Sequence, residues 1–256
     1  LGAGSVMVSQ VGNDDLGQGA IESLRKRGVM TDHVTVSKSY PTGMVTIKLD
    51  AAGKPSFTIG ENVAWDHFEW SESLEALAAQ ADAVCFGTLA QRCESSRRVI
   101  RQFLSSVSAS TLRLLDVNLR PPFDDSEIIA ASLPMANVLK LSDEELERVA
   151  GAVGLRGTED TLLSALSERF SLRLVALTRG AQGATLYRPD ERSDLPGVSV
   201  DVKDTVGAGD SYTACLILGM LASEPLNMLN ERACQIVAYV CSQSGATPDL
   251  PPELRE

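Results

Sequence analysis

The chain has 256 residues, room for one large α/β domain with a small appendage. Its composition, 44% hydrophobic and 22% charged, is ordinary for a globular protein, and 23 basic against 34 acidic residues leave a formal charge of −11. That acidic balance, spread along the whole chain, argues against a general nucleic-acid binder or a protein that docks on anionic membranes. A phosphate site built on backbone amides stays open.

Strand-like runs alternate with helix-period segments. Val6 to Val11 reads as a strand. Leu16, Ala20 and Leu24 recur every fourth residue, which predicts a helix over Asp15 to Arg27 stopped by Gly28. Val45, Ile47 and Leu49 alternate with polar residues, turn at 51–54 and return through Phe57 and Ile59 as a hairpin. Then follow a helix over Glu72 to Gln80, a strand over Ala83 to Gly87, and a helix over Glu94 to Ser106. Leu112 to Val117 is a strand, Asp125 to Leu133 a helix, Val138 to Leu141 a strand and Asp143 to Ala150 a helix. Thr158 to Phe170 is helical and Leu172 to Thr178 a buried strand. Ala184 to Tyr187 and Val198 to Val202 are short strands, and the helices Ala208 to Leu221 and Leu226 to Ser242 close the chain. The rhythm predicts a mostly parallel sheet with helices on both faces, as a single domain over 1–256 with a β segment around 41–60.

Cys85, Cys93, Cys215, Cys234 and Cys241 are odd in number and mostly sit in apolar runs, as reduced thiols of a cytoplasmic protein would. The most apolar stretch, Thr213 to Ala222, is too short to cross a bilayer, and no signal peptide is visible. The chain opens on Leu1-Gly2 with a strand close behind, so a native N-terminal segment is expected to be missing.

The most informative segment is Asp204-Thr205-Val206-Gly207-Ala208-Gly209-Asp210-Ser211, at the entry to an apolar helix. Gly207 and Gly209 permit a tight turn with no side chain to block a ligand. The N–H groups of Gly207, Ala208 and Gly209 at the positive helix end would form an anion hole. Asp210, in the first helical turn, is favoured there by the helix dipole and is placed to take a hydroxyl proton during phosphoryl transfer. A dinucleotide fingerprint would need glycine at position 212, which is Tyr212, and no Gly-Lys-Ser/Thr of a P-loop occurs. His33 and His67 lack zinc spacing, and no Gly-x-Ser-x-Gly elbow exists.

This eight-residue string resembles the C-terminal signature of the ribokinase-like (PfkB-type) sugar kinases. The resemblance runs through most of the chain. It takes in Val11 to Gly17 with Gly28-Val29, Pro41-Thr42-Gly43, and Leu115-Asp116-Val117-Asn118-Leu119-Arg120-Pro121-Pro122, the last similar to fructokinase-type members. Leu139-Lys140-Leu141-Ser142 through Leu146, Val175 to Gly183 and Val240 to Pro248 complete it. Two departures are clear: the family's leading strand with its substrate-binding Asp is absent, and Ser142 stands where an Asn is usual.

The resemblance implies a ribokinase-like fold with a small β lid, and ATP-dependent phosphorylation of a sugar hydroxyl with Asp210 as base. It implies Mg2+ as cofactor, with a monovalent cation as a further candidate. Arg120 and Asn118, at a carboxyl strand end, would contact substrate beside Asp210, and Glu145 would order the magnesium's water shell. Thr178, Gly180, Gly183, Lys140, Thr205, Gly207, Gly209, Gly245 and Ala246 would shape the nucleotide site. Each has a plainer reading: Glu145 as a helix-start carboxylate, Arg120 as a solvated arginine, the 178–183 glycines as a hairpin turn, Lys140 as a snorkelling lysine. Fructose is the favoured acceptor, a 2-keto-3-deoxygluconate-type sugar acid its rival, and a silent nucleotide- or sugar-binding regulator the alternative from another class. A homodimer through the lid is a further family expectation.

Overall fold

The computed structural model describes residues 1–49 and 55–254. The predicted turn at 51–54 lies outside the described residues. Two compact units emerge, one of Gly4–Gln80 with Ala90–Val107, the other of Leu1–Ala3, Ala81–Leu89 and Ser108 onward.

In the first unit, β1 (Ser9–Gly12) leads into α1 (Asp15–Lys26). Asp14 caps that helix by accepting the Gly17 amide at 2.8 Å, and it also accepts the Thr42 amide and hydroxyl. One carboxylate therefore ties the first motif to Pro41-Thr42-Gly43, and these bonds, the Thr42 hydroxyl first, hold its pKa below the ordinary range. β2 (Val34–Ser37) pairs parallel with β1; its Val-Thr-Val-Ser alternation is a strand signal missing from the elements predicted above. Val6 makes only an isolated bridge to Met30, so the strand expected from Val6 starts later, at Ser9. β3 (Val45–Leu49) and β4 (Pro55–Ile59) form the antiparallel hairpin. α2 (Glu72–Gln80) and α3 (Glu94–Ser106) enclose Phe68, Leu74 and Val99 as a small core.

The second unit is built on one six-stranded sheet. β5 (Ala83–Phe86), β6 (Leu112–Asp116), β7 (Val138–Ser142) and β8 (Leu174–Thr178) run parallel, and β9 (Ala184–Arg188) and β10 (Glu191–Leu195) follow as antiparallel hairpins, in the order β10-β9-β8-β7-β6-β5. α4 (Ser126–Ser132), α5 (Asp143–Ala152) and α6 (Glu159–Phe170) supply the crossovers. α7 (Ala208–Leu221) and α8 (Leu226–Cys241) pack on each other and on the sheet.

Period-two alternation sorts the two faces. Leu112, Leu114, Val138, Leu174 and Ala176 join the α7–α8 core, while their neighbours Leu115, Leu139, Leu141, Val175 and Leu177 are fully buried toward the other face. A strand covered on both sides must be apolar throughout, as these are. Each such leucine contributes roughly 1.5–3 kcal/mol of burial. The fully buried Asn230 of α8 stitches the sheet edge by donating to Ala184 and Ser193 carbonyls and accepting the Tyr212 hydroxyl at 2.8 Å.

Val198 to Val202 is not a strand. Its alternating valines imitate the pattern, but Val198 and Val202 are exposed, and the strand that pairs with β9 is the polar Glu191–Leu195 instead.

Candidate functional site

The carboxyl ends of β6, β7 and β8, the start of α7 and the 245–246 turn carry the residues singled out from sequence. Gly207 precedes α7 in the left-handed region, φ +85°, and a Cβ there would lie 2.2 Å from the Ala246 carbonyl oxygen. Both the backbone angle and the close approach demand glycine. Among the described residues, the amides of Gly207, Gly209 and Asp210 meet no protein acceptor. The expectation of three free amides at Gly207, Ala208 and Gly209 needs one correction. The Ala208 N–H turns back to the Thr205 carbonyl at 3.3 Å, closing the turn. The Asp210 carboxylate is exposed on the first turn of α7 and has no protein partner among the described residues.

Asp204 fastens this loop. One carboxylate oxygen accepts the Val206 amide at 2.9 Å and the other the Gly245 amide at 3.1 Å. Gly245, φ +85°, and Ala246 are thus held against the Asp204–Gly207 loop, while Thr205 is exposed on it. Lysine 203 and Asp204 also donate their amides to the Cys241 carbonyl at the end of α8.

Glu145 completes a capping box at the start of α5: it accepts the Ser142 amide at 2.8 Å with one oxygen and the Leu119 amide at 2.6 Å with the other. Ser142 therefore fills its position as a cap. The second bond pins the loop after β6, where Asn118 and Arg120 sit exposed. Asn118 is not on the strand face expected of it. β6 ends at Asp116, and Asn118 takes φ +43°, a left-handed turn that an asparagine tolerates. Among the described residues, the Arg120 guanidinium reaches only the Leu119 carbonyl, at 3.0 Å.

Thr178 ends β8, its hydroxyl 3.4 Å from the Leu141 carbonyl. Gly180 and Gly183 shape the turn into β9, with φ +51° and +95°. A Cβ on Gly183 would lie 2.0 Å from the Leu195 carbonyl oxygen, so that glycine is required by the approach of β10. Arg179 anchors the turn to Glu159 and Thr185.

Lysine 140 is neither snorkelling nor exposed. Its ammonium donates to both oxygens of Asp116 at 3.0 Å, and the Thr213 hydroxyl donates to Asp116 at 2.8 Å; all three residues are buried. Asp116 and Thr213 were not singled out from sequence as site residues. The signal was there in part: Asp116 and Lys140 break two apolar runs at positions in phase with Leu114 and Val138. Cys85, at the sheet edge, borders solvent, yet desolvation pushes its thiol up to about 12. Asp116 adds to that rise, Lys140 opposes it and Asp210 adds the least, so these charges share one neighbourhood. A cavity of about 290 Å3 lined by Arg173, Arg188 and Met220 lies at the other end of α7 and takes no part in this site.

Comparison with known proteins agrees with the geometry. Residues 1–253 match the model of the pfkB family carbohydrate kinases. A fructokinase of Salmonella typhimurium is 28% identical over 255 residues, covering 96% of this chain and 81% of the relative, and fructokinase-1 of Oryza sativa is 27% identical over 271 residues, covering 99% and 82%. Among solved structures, an uncharacterized sugar kinase from Pyrococcus horikoshii in complex with ATP superposes with a TM-score of 0.81 at 28% identity, over 96% of this chain and 80% of that one. The fold is ribokinase-like, and the chain belongs to the pfkB family of carbohydrate kinases.

Proposed function

We propose that the protein transfers the terminal phosphoryl group of ATP to a hydroxyl of a small sugar, with fructose the favoured acceptor. One observation carries this reading: an exposed carboxylate, Asp210, stands beside amides of Gly207 and Gly209 that no protein acceptor claims, at the positive end of α7. Donors aimed at a migrating phosphoryl group stabilise the charge that spreads over its oxygens. A neighbouring carboxylate takes the acceptor's proton late in a loose transition state. Fructokinases among the relatives, and Asp116-Val117-Asn118-Leu119-Arg120 after β6, support the acceptor.

Thr178, Gly180 and Gly183 on one side, and Thr205, Gly245 and Ala246 on the other, border the nucleotide, with Lys140 beneath its phosphates. Asn118 and Arg120 hold acceptor oxygens. Magnesium, when bound with ATP, neutralises charge on the phosphates. Among the described residues no cluster of three carboxylate, histidine or cysteine side chains is present to cage it, which fits an ion held by phosphates and water. Both oxygens of Glu145 keep a lone pair beyond their backbone bonds, enough to accept from that water shell. All five cysteines are free, in keeping with a cytoplasmic protein, and no helix among the described residues is long and apolar enough to cross a membrane.

The test is a panel of fructose, ribose, 2-keto-3-deoxygluconate and adenosine with MgATP, followed by ADP release. Fructose should be the best acceptor; preference for the sugar acid would reassign it, and nucleotide binding without turnover would support a regulator. Asp210→Asn should lower turnover by about 10²–10⁴-fold while nucleotide affinity stays within a few-fold. A rate near that of the wild type would remove Asp210 from the role of base.

A further inference from the structure

The Lys140–Asp116 pair sits under the loop that the proposed function uses. Asp116 and Lys140 are directly opposed in the β6–β7 register, and both point to the face that carries α7. A Cβ built on Gly209 would lie 3.1 Å from the Lys140 ammonium, so the charge rests against the bare backbone of the first turn of α7. Thr213, which donates to Asp116, is four residues further along α7, about one turn deeper. The pair is therefore a dipole with its positive end toward the loop and its negative end set back, in the same sense as the dipole of α7 itself.

An ammonium has three donors, and Asp116 takes two of them; among the described residues no acceptor takes the third. Burying both charges is costly, and apolar residues of similar size would suit the surrounding leucines at least as well for stability. The plain structural reading therefore leaves the pair's chemistry without a reason.

Resting on the phosphotransferase reading above, we infer that Asp116 and Thr213 are positioning residues. They hold the Lys140 ammonium against the underside of the Gly207–Gly209 loop so that its charge acts on the phosphoryl group in transit more than on the bound nucleotide. Asp116 offsets the desolvation of the ammonium, and Thr213 fixes which way the carboxylate faces.

A comparison of ground-state and transition-state mimics tests this without any sugar. Calorimetry would measure binding of MgADP alone and of MgADP with aluminium fluoride, which imitates the phosphoryl group in flight. The double variant Lys140→Met/Asp116→Leu removes both charges and leaves neither partner stranded. It should melt within a few degrees of the wild type and lose at least tenfold more of its affinity for MgADP with aluminium fluoride than of its affinity for MgADP alone. Thr213→Val, which keeps the pair, should lose a smaller part of the tightening that aluminium fluoride produces, and it serves if the double variant does not fold. Lys140→Arg should recover part of what the double variant loses. Full retention of the tightening in the double variant or in Thr213→Val overturns the inference and leaves the pair a piece of the core. A wild-type protein that binds neither form overturns the phosphotransferase reading itself, and this inference with it.

Discussion

Among the described residues, each unit holds a buried pair of carboxylate and cation, and the two pairs are built differently. In the first unit Asp66, with no exposed side-chain surface, is gripped by Arg92 through two bonds of 2.8 Å; the same guanidinium donates to the Gly60 carbonyl and lies 4.1 Å from the centre of the Trp65 ring. Asp66 also accepts the Val63 amide. In the second unit Asp116 is met by a lysine, a point charge on a flexible stem, under an open backbone loop. A planar fork bonded to carboxylate, carbonyl and ring fixes a chain path. A compact ammonium with a donor left over suits a visiting anion. On the inference drawn above, the choice of cation separates a scaffold pair from one set for a ligand.

The contrast can be broken at its strongest point by Asp66→Ala, which strands the Arg92 charge. The expected loss is roughly 3–5 kcal/mol of stability, read from urea unfolding, with nucleotide affinity of the folded fraction unchanged. Arg92→Lys should cost less, about 1.5–3 kcal/mol for a lost charge-assisted bond, because one contact survives without the fork. If the two variants were equally damaging, the planar geometry would not matter. The smallest effect is in acid. Burial raises the pKa of Asp66, but the bonds from Arg92 and the Val63 amide outweigh it, so the net shift is below the usual 3.8. A carboxyl with a depressed folded-state pKa contributes its stabilisation above the unfolded value and loses it as pH falls through the folded one. The gap in urea midpoint between wild type and Asp66→Asn should therefore be widest near neutrality and narrow below about pH 4; a gap constant from pH 7 to pH 3 would contradict the shift.

Much of this was legible in the sequence because the physics is local. The glycines at 207 and 209, the helix behind them and the capping glutamate three residues after Ser142 each announce themselves within a few positions. The parallel strands show as unbroken apolar runs, since both of their faces are covered. Failures came where neighbours distant in sequence decide. β10 reads Glu-Arg-Ser-Asp-Leu, and its buried Ser193 is acceptable only because Asn230 and Asn227 bond to it. The valines from 198 to 202 carry a strand pattern but find no strand to pair with. Asp116 and Lys140 are visibly out of place in their runs, yet only the register of β6 against β7 brings them opposite each other, and no single strand contains that information.

The double grip of Asp204 has one more consequence. By holding the Val206 and Gly245 amides with its two oxygens, this side chain ties the segment that follows α8 to the loop that precedes α7. A protease cut between Cys241 and Gly245 should therefore loosen the Asp204–Gly207 loop, although the two are far apart in sequence.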